Sequence, residues 1–247
     1  MKKKDWLDHL QVWLWLNEVR RESGGASNYE LDQMFSSEPG ASSADRRKEF
    51  DLIEQKAKPP RADVLHRVDL NIPGTRRLYE APFWTLVRDD KTSLAKCSQN
   101  VDDLLELYGL TRLDWPEASR YLFGNEQMDE RSVFNASLAS ALSELAWYDR
   151  LSLLLALFKE AKGSTNFGAA ESVCSMLDKT IDLAMSRRLP WSEASETYLD
   201  LLDLCLNSGT SADRSDIGGL HLAYSQSARP ILALSFVERQ STKSQGA

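Results

Sequence analysis

Histidine and cysteine are scarce in this 247-residue chain, three of each. Cys97, Cys174 and Cys205 lie far apart and form no CxxC pair, which excludes a disulfide framework and fits a reducing compartment. Cys174 and Cys205 fall beside or within helical apolar stripes and read as small buried hydrophobes. His9, His66 and His221 are isolated from one another and no HExxH occurs, so no metal site is expected. Also missing are a GxSxG elbow, a GxxxxGK[ST] phosphate loop and a GxGxxG turn after a strand. The sequence therefore assigns no catalytic residue and no cofactor. Long apolar runs are lacking too. Leu151 to Phe158, with Ser152 inside it, is the longest, at eight residues, where a membrane-spanning helix needs about 20. Met1-Lys2-Lys3-Lys4 before Trp6–Leu16 has the charged start of a secretory signal. Asp5, Asp8, His9 and Gln11 break its apolar stretch, however, and no small-residue cleavage site follows. The expectation is a soluble, untargeted, cytoplasmic chain.

What is present is the material of an ordinary globular core. Apolar residues make up 42% and charged residues 27%, with seven Trp and eight Phe. That is enough to bury one large domain or two small ones. The net charge of −7 is unevenly spread. Residues 1–100 hold 17 basic and 16 acidic side chains, whereas 101–247 hold 13 and 21. The segment 46–77 carries nine basic and five acidic residues, the only positive stretch of any length. This suggests an N-terminal helical region, 1–98, and an acidic helical bundle, 99–247.

Apolar spacing predicts helices throughout and no strand, hence an all-α protein. Residues 4–22 form a helix stopped by Gly24-Gly25. Its stripe of Trp6, Leu7, Leu10, Trp13 and Leu14 is matched on another side by Val12, Trp15, Leu16 and Val19. A helix apolar on two sides is sandwiched within its own chain, the favoured reading, or shared with a second copy as a homodimer seam. Short helices follow at 27–35 (capped by Ser27 or Asn28), 45–58 (ended by Pro59-Pro60) and 61–68. Asn71-Ile72-Pro73-Gly74-Thr75 is a turn. An aromatic-rich patch spans Leu78 to Val87, and a polar link covers 89–100. Val101, Leu104, Leu105 and Tyr108 mark a helix ended by Gly109. Residues 135–161 read as one long, central, buried helix, 167–188 as another, and 194–205 as a third.

Two stretches echo each other. Leu105 to Ser119 aligns without gaps on Ile181 to Ser195, with seven identities in fifteen positions, including Arg112/Arg188 and Trp115/Trp191. The shared pattern is a helix–corner–helix whose arginine suits the negative end of the helix dipole. A duplicated helical hairpin is the favoured account. In it Trp115 and Trp191 are buried at equivalent corners.

Two features bear on nucleic acid. Arg46, Arg47 and Lys48 open one helix, Lys56, Lys58 and Arg61 close it, and Arg67, Arg76 and Arg77 follow. A cationic side built from them would contact phosphates. Glu49, Asp51, Glu54 and Asp63 interleave, and a solvated mixed-charge face is favoured. Arg61 to His66 also has the Arg-x4-His spacing of the helical HEPN ribonucleases, but Ala62 stands where those enzymes carry a polar residue.

Tyr29-Glu30-Leu31-Asp32, Ile72-Pro73-Gly74-Thr75, Tyr79 and Ala81-Pro82-Phe83-Trp84 together resemble a group of uncharacterised bacterial helical proteins. There a YELD helix precedes a PGT…PLW segment. The resemblance spans about residues 27–88 and departs at Phe83. It implies a bacterial, cytoplasmic origin, and no activity transfers with it. The resulting expectation is a non-enzymatic regulatory or adaptor protein that binds another protein through helix faces. A DNA-binding regulator using 46–77, or a ribonuclease using Arg61 and His66, stands second.

A gel-shift titration at low salt should show no duplex DNA or RNA complex tighter than the non-specific range. Should a salt-sensitive complex form instead, replacing Arg46 and Arg47 by Ala should flatten its salt slope by about two units.

Overall fold

The computed structural model describes residues 3–35, 49–56, 58–89, 92–112, 126–188 and 205. Among them the chain is all-α, with no strand. The second helix of each echoed hairpin, with Trp115 and Trp191, lies outside the described residues, as do Arg46, Arg47 and Lys48.

Helix α1 (Lys3–Glu22) buries most of both predicted stripes within the chain, with Trp13 half-buried. Leu7, Leu10 and Leu14 are covered on one side, and Val12, Trp15, Leu16 and Val19 on the other. It packs on α3 (Glu49–Lys56), α5 (Thr75–Tyr79), α6 (Pro82–Arg88) and α10 (Phe167–Arg188). Gly24 and Gly25, both at positive φ, end it, and the Gly25 N–H donates back to the Arg20 carbonyl at 2.8 Å.

Helix α2 (Asn28–Met34) begins on Ser27, whose hydroxyl caps it while the Glu30 carboxylate takes the Ser27 N–H at 2.7 Å. Asp32 then caps the start of α3, accepting the N–H groups of Glu49 and Phe50 at 3.2 Å each. Of the YELD residues, Glu30 and Asp32 thus cap the starts of α2 and α3 and Leu31 fills the core, while Tyr29 is exposed. The core here joins Val12, Trp15, Leu16, Val19, Leu31 and Phe35 to Phe50, Ile53, Val64, Leu65 and Val68. Trp15 stacks on Phe50 with ring centroids 6.2 Å apart, and meets Tyr79 edge-on.

Helix α4 (Ala62–Asn71) leads through Pro73-Gly74 into α5, and Pro82 sits in the first turn of α6. Trp84 Nε1 donates to the Leu78 carbonyl at 3.1 Å, tying α6 to the end of α5.

Two sequence expectations are corrected. The polar link at 89–100 is helical from Leu94, because α7 (Leu94–Tyr108) starts on a Ser93 cap and Cys97 adds an earlier buried turn to its stripe. The long helix at 135–161 is two helices, α8 (Glu126–Ser143) and α9 (Trp147–Gly163). No Gly or Pro marks the break. Arg150 makes it, donating to the carbonyls of Ser143 at 2.9 Å and Leu145 at 2.7 Å, and so satisfying the end of α8. α9 is central and buried, as its composition predicts. It packs against α6, α7 and α10.

Gly74 and Gly109 both hold positive φ. A Cβ on Gly74 would also lie 3.2 Å from the Tyr148 hydroxyl, whereas one on Gly109 would meet nothing within 4 Å. Gly74→Ala should therefore lower stability by about 1–3 kcal/mol, more than Gly109→Ala does, since the latter carries backbone strain alone. Urea unfolding of the two variants measures the difference.

Candidate functional site

Four of the cationic residues singled out from the sequence, Arg61, Arg67, Arg76 and Arg77, are held by carboxylates. Arg61 precedes α4 without capping it, and donates to both Glu49 oxygens at 2.9 and 3.3 Å. Arg67 pairs with Asp63 at 2.8 Å and also donates to the Phe35 carbonyl. Arg76 pairs with Glu80, one turn on, at 3.0 Å. Lys56 ends α3, and Lys58 follows it, both exposed; His66 is exposed on α4. Two candidate residues, Arg61 and Arg67, converge on Glu49. Arg77 turns away from the segment altogether.

Arg77 reaches α9. Its Nε lies 3.2 Å from Asp149 Oδ1 and its Nη2 3.2 Å from Oδ2, and its guanidinium lies 5.6 Å from the centroid of the Tyr108 ring. Asp149 is buried, with 3% of its side chain exposed, while Arg77 is half exposed. Burial pushes the Asp149 carboxyl up, and the Arg77 charge pulls against that. Burial pushes the Tyr108 hydroxyl well up, and the Asp149 charge adds to the shift. Ser152 accepts the Phe83 N–H at 3.0 Å and donates to the Tyr148 carbonyl at 2.8 Å. One buried cluster thereby fixes α5 and α6 on the first turns of α9.

Beside it opens a cleft of about 350 Å³ lined by Glu18 and Glu22 of α1, Asn71, the turn Ile72-Pro73-Gly74-Thr75, and Tyr148. Glu18 and Glu22 share a helix face by their four-residue spacing. Asp69 builds the turn: its Oδ1 accepts the N–H groups of Gly74 at 2.9 Å and Arg76 at 3.0 Å. Tyr148 is pushed up mainly by burial, then by the charge of Asp149, with Glu18 and Asp69 adding to it against Arg77.

Elsewhere on α9, Lys159 donates to the carbonyls of Leu86 and Asp89 and so caps α6. Glu160 takes a two-pronged contact from Arg112 at 3.0 Å on each oxygen. The three cysteines are buried free thiols, Cys174 pushed up to about 12 by burial, which leaves it inert as a nucleophile. Among the described residues no three His, Cys, Asp or Glu side chains gather into a metal-sized group. None of their helices is long and apolar enough to cross a membrane.

Sequence reasoning missed Glu18, Glu22, Asp69, Tyr148 and Asp149. The available signals were the Glu18/Glu22 spacing and the Pro-Gly pair. Compared with family models, with curated proteins and with solved structures, the chain matches none.

Removing Arg77 strands a buried carboxylate. Arg77→Ala should cost about 1–3 kcal/mol at neutral pH, the usual loss for a buried acceptor without its partner, whereas Asp149→Asn should cost less. The sign with pH follows from the raised carboxyl. Folding favours the protonated form of Asp149, so its contribution is most favourable below the ordinary aspartate value and is lost as pH rises through the raised one. The Arg77→Ala deficit should therefore shrink in acid, and an added Asp149→Asn should remove that dependence. Urea unfolding across pH reads both.

Proposed function

We propose that the protein is a non-enzymatic adaptor of a bacterial cytoplasm that binds another protein through the cleft between α1, the α4–α5 turn and α9. One observation carries the reading. The cleft is open and of ligand size, yet its walls are structural parts, namely a helix face, a capped turn and one tyrosine. Nothing in that arrangement pairs a nucleophile with a base. Its carboxylates suit a protein segment better than a polyanion, which like charge would repel. The mixed ion pairs around Arg61, Arg67 and Arg76 support the same choice, because phosphate contacts would first have to break them.

A photo-crosslinking residue at Asn71, on the cleft rim, should give a discrete light-dependent protein adduct in cells. The same residue at Glu106, on the exposed side of α7, should not. An adduct that contains nucleic acid, or equal labelling from both positions, would overturn the adaptor reading.

A further inference from the structure

We infer that the Arg77–Asp149 pair is an acid-released latch on α5, the short helix that follows the turn forming one wall of the cleft. The two partners are unequal. Arg77 has 53% of its side chain exposed and Asp149 only 3%. The guanidinium can therefore leave into water and stay solvated, whereas the carboxylate cannot follow it. Left behind as an anion, Asp149 would be a buried charge without a partner, far more costly than the neutral acid. Release of Arg77 is thus coupled to the uptake of one proton by Asp149.

The anchors of α5 show what that release loosens. Five residues make no stable helix alone, so α5 lasts only while its neighbours hold it. It packs on α1 and α4. Asp69 of α4 fixes its start through the Gly74 and Arg76 N–H groups. Gln11 of α1 donates to the Tyr79 carbonyl at 2.6 Å, and Trp84 of α6 donates to the Leu78 carbonyl. Arg77 ties it ionically to α9. With that tie cut, local opening of α5 becomes easier. The turn Ile72-Pro73-Gly74-Thr75, which lines the cleft with Tyr148, loosens with it. That a partner docks there rests on the adaptor reading; the latch itself does not.

Among the described residues, the ionisable groups that act on Asp149 are Arg77 from α5 and the Tyr108 phenol from α7. Glu18 of α1 and Asp69 of α4 act on Tyr148, one residue before it. From α6 the contact is uncharged, the Phe83 N–H on Ser152. The packing of α9 on α6, α7 and α10 keeps the carboxyl covered when Arg77 leaves. Burial raises the Asp149 carboxyl and Arg77 pulls it back, so without Arg77 it rises further. Proton binding therefore favours the open state over the latched one, and opening grows as pH falls toward the latched value. A cation this close favours the ionised carboxylate by about tenfold or more, and acid should ease opening by the same factor.

Hydrogen–deuterium exchange of the full chain, corrected for the intrinsic effect of pH on exchange, tests the latch. The Leu78 and Glu80 amides donate to the Gly74 and Arg76 carbonyls. Their protection should fall about tenfold or more between about pH 7.5 and pH 4.5. The amides of Leu153 to Leu157 in α9 should keep theirs over the same range. Asp149→Asn and Arg77→Gln cut the latch from its two sides. Each should hold α5 at the low, acid-like protection at every pH. Asp69→Asn, at the other carboxylate anchor of α5, should lower protection and leave its pH dependence in place. Protection that rises in acid, or a pH dependence that survives Asp149→Asn or vanishes in Asp69→Asn, would overturn the inference. So would full protection of Arg77→Gln at neutral pH, or equal loss in α9. Crosslinking at Asn71 is read separately at neutral pH: an adduct there with no latch leaves the adaptor reading standing, and a latch with no adduct removes that reading alone.

Discussion

Burial of α9 on every side from Leu151 to Lys162 is the constraint on which the rest of the structure depends. Leu151, Leu153, Leu154, Leu155 and Ala156 point to all sides of the helix, so this part of it has no side left for solvent. Every polar group on it must then find a partner in another element, because an unmatched buried charge costs far more than a surface one. Asp149 takes Arg77 from α5, Ser152 takes the backbone of α6, Lys159 takes the last carbonyls of α6, and Glu160 takes Arg112 from beyond α7. These contacts do little for net stability against a greasy replacement. They do specify which neighbours α9 accepts and in what register.

Much of this was legible as pattern and little of it as pairing. The extent of α1, the Ser27 cap, the stop at Gly109 and the centrality of α9 follow from local signals: spacing, capping chemistry and a left-handed glycine. The break between α8 and α9 was hidden because it comes from Arg150 reaching backward to carbonyls, and an arginine in a helical pattern looks the same whether it does so or faces water. The start of α7 was hidden for a related reason. Ser93 is an ordinary polar residue until Lys96 N–H is seen pointing at it. The cleft was illegible because Glu18, Gly74 and Tyr148 meet only after the chain has folded back on itself. The YELD and Ala81-Pro82-Phe83-Trp84 segments were visible from the start. Glu30 and Asp32 are explained by the capping they do, and Pro82 and Trp84 by the α5–α6 joint.

The positive stretch at 46–77 shows why a charge count and a charged surface differ. Arg61 and Arg67 spend their charge on Glu49 and Asp63, Arg76 on Glu80, and Arg77 on a carboxylate 72 residues away. In each pair the opposite charges lie within a Debye length and largely cancel at a distance. The part of the excess carried by these four arginines is thereby divided among small neutral units.

Helix α5 has five residues, too few to persist alone. Asp69 holds its first turn, but Arg77 needs Asp149, and the wall of the cleft opposite the turn is Tyr148. On a growing chain, then, the N-terminal core around Trp15 can assemble from residues already made, whereas α5 and the cleft must wait for the start of α9. The ribosome has to reach Asp149 before the cleft can close around its turn, so this surface is a late product of synthesis.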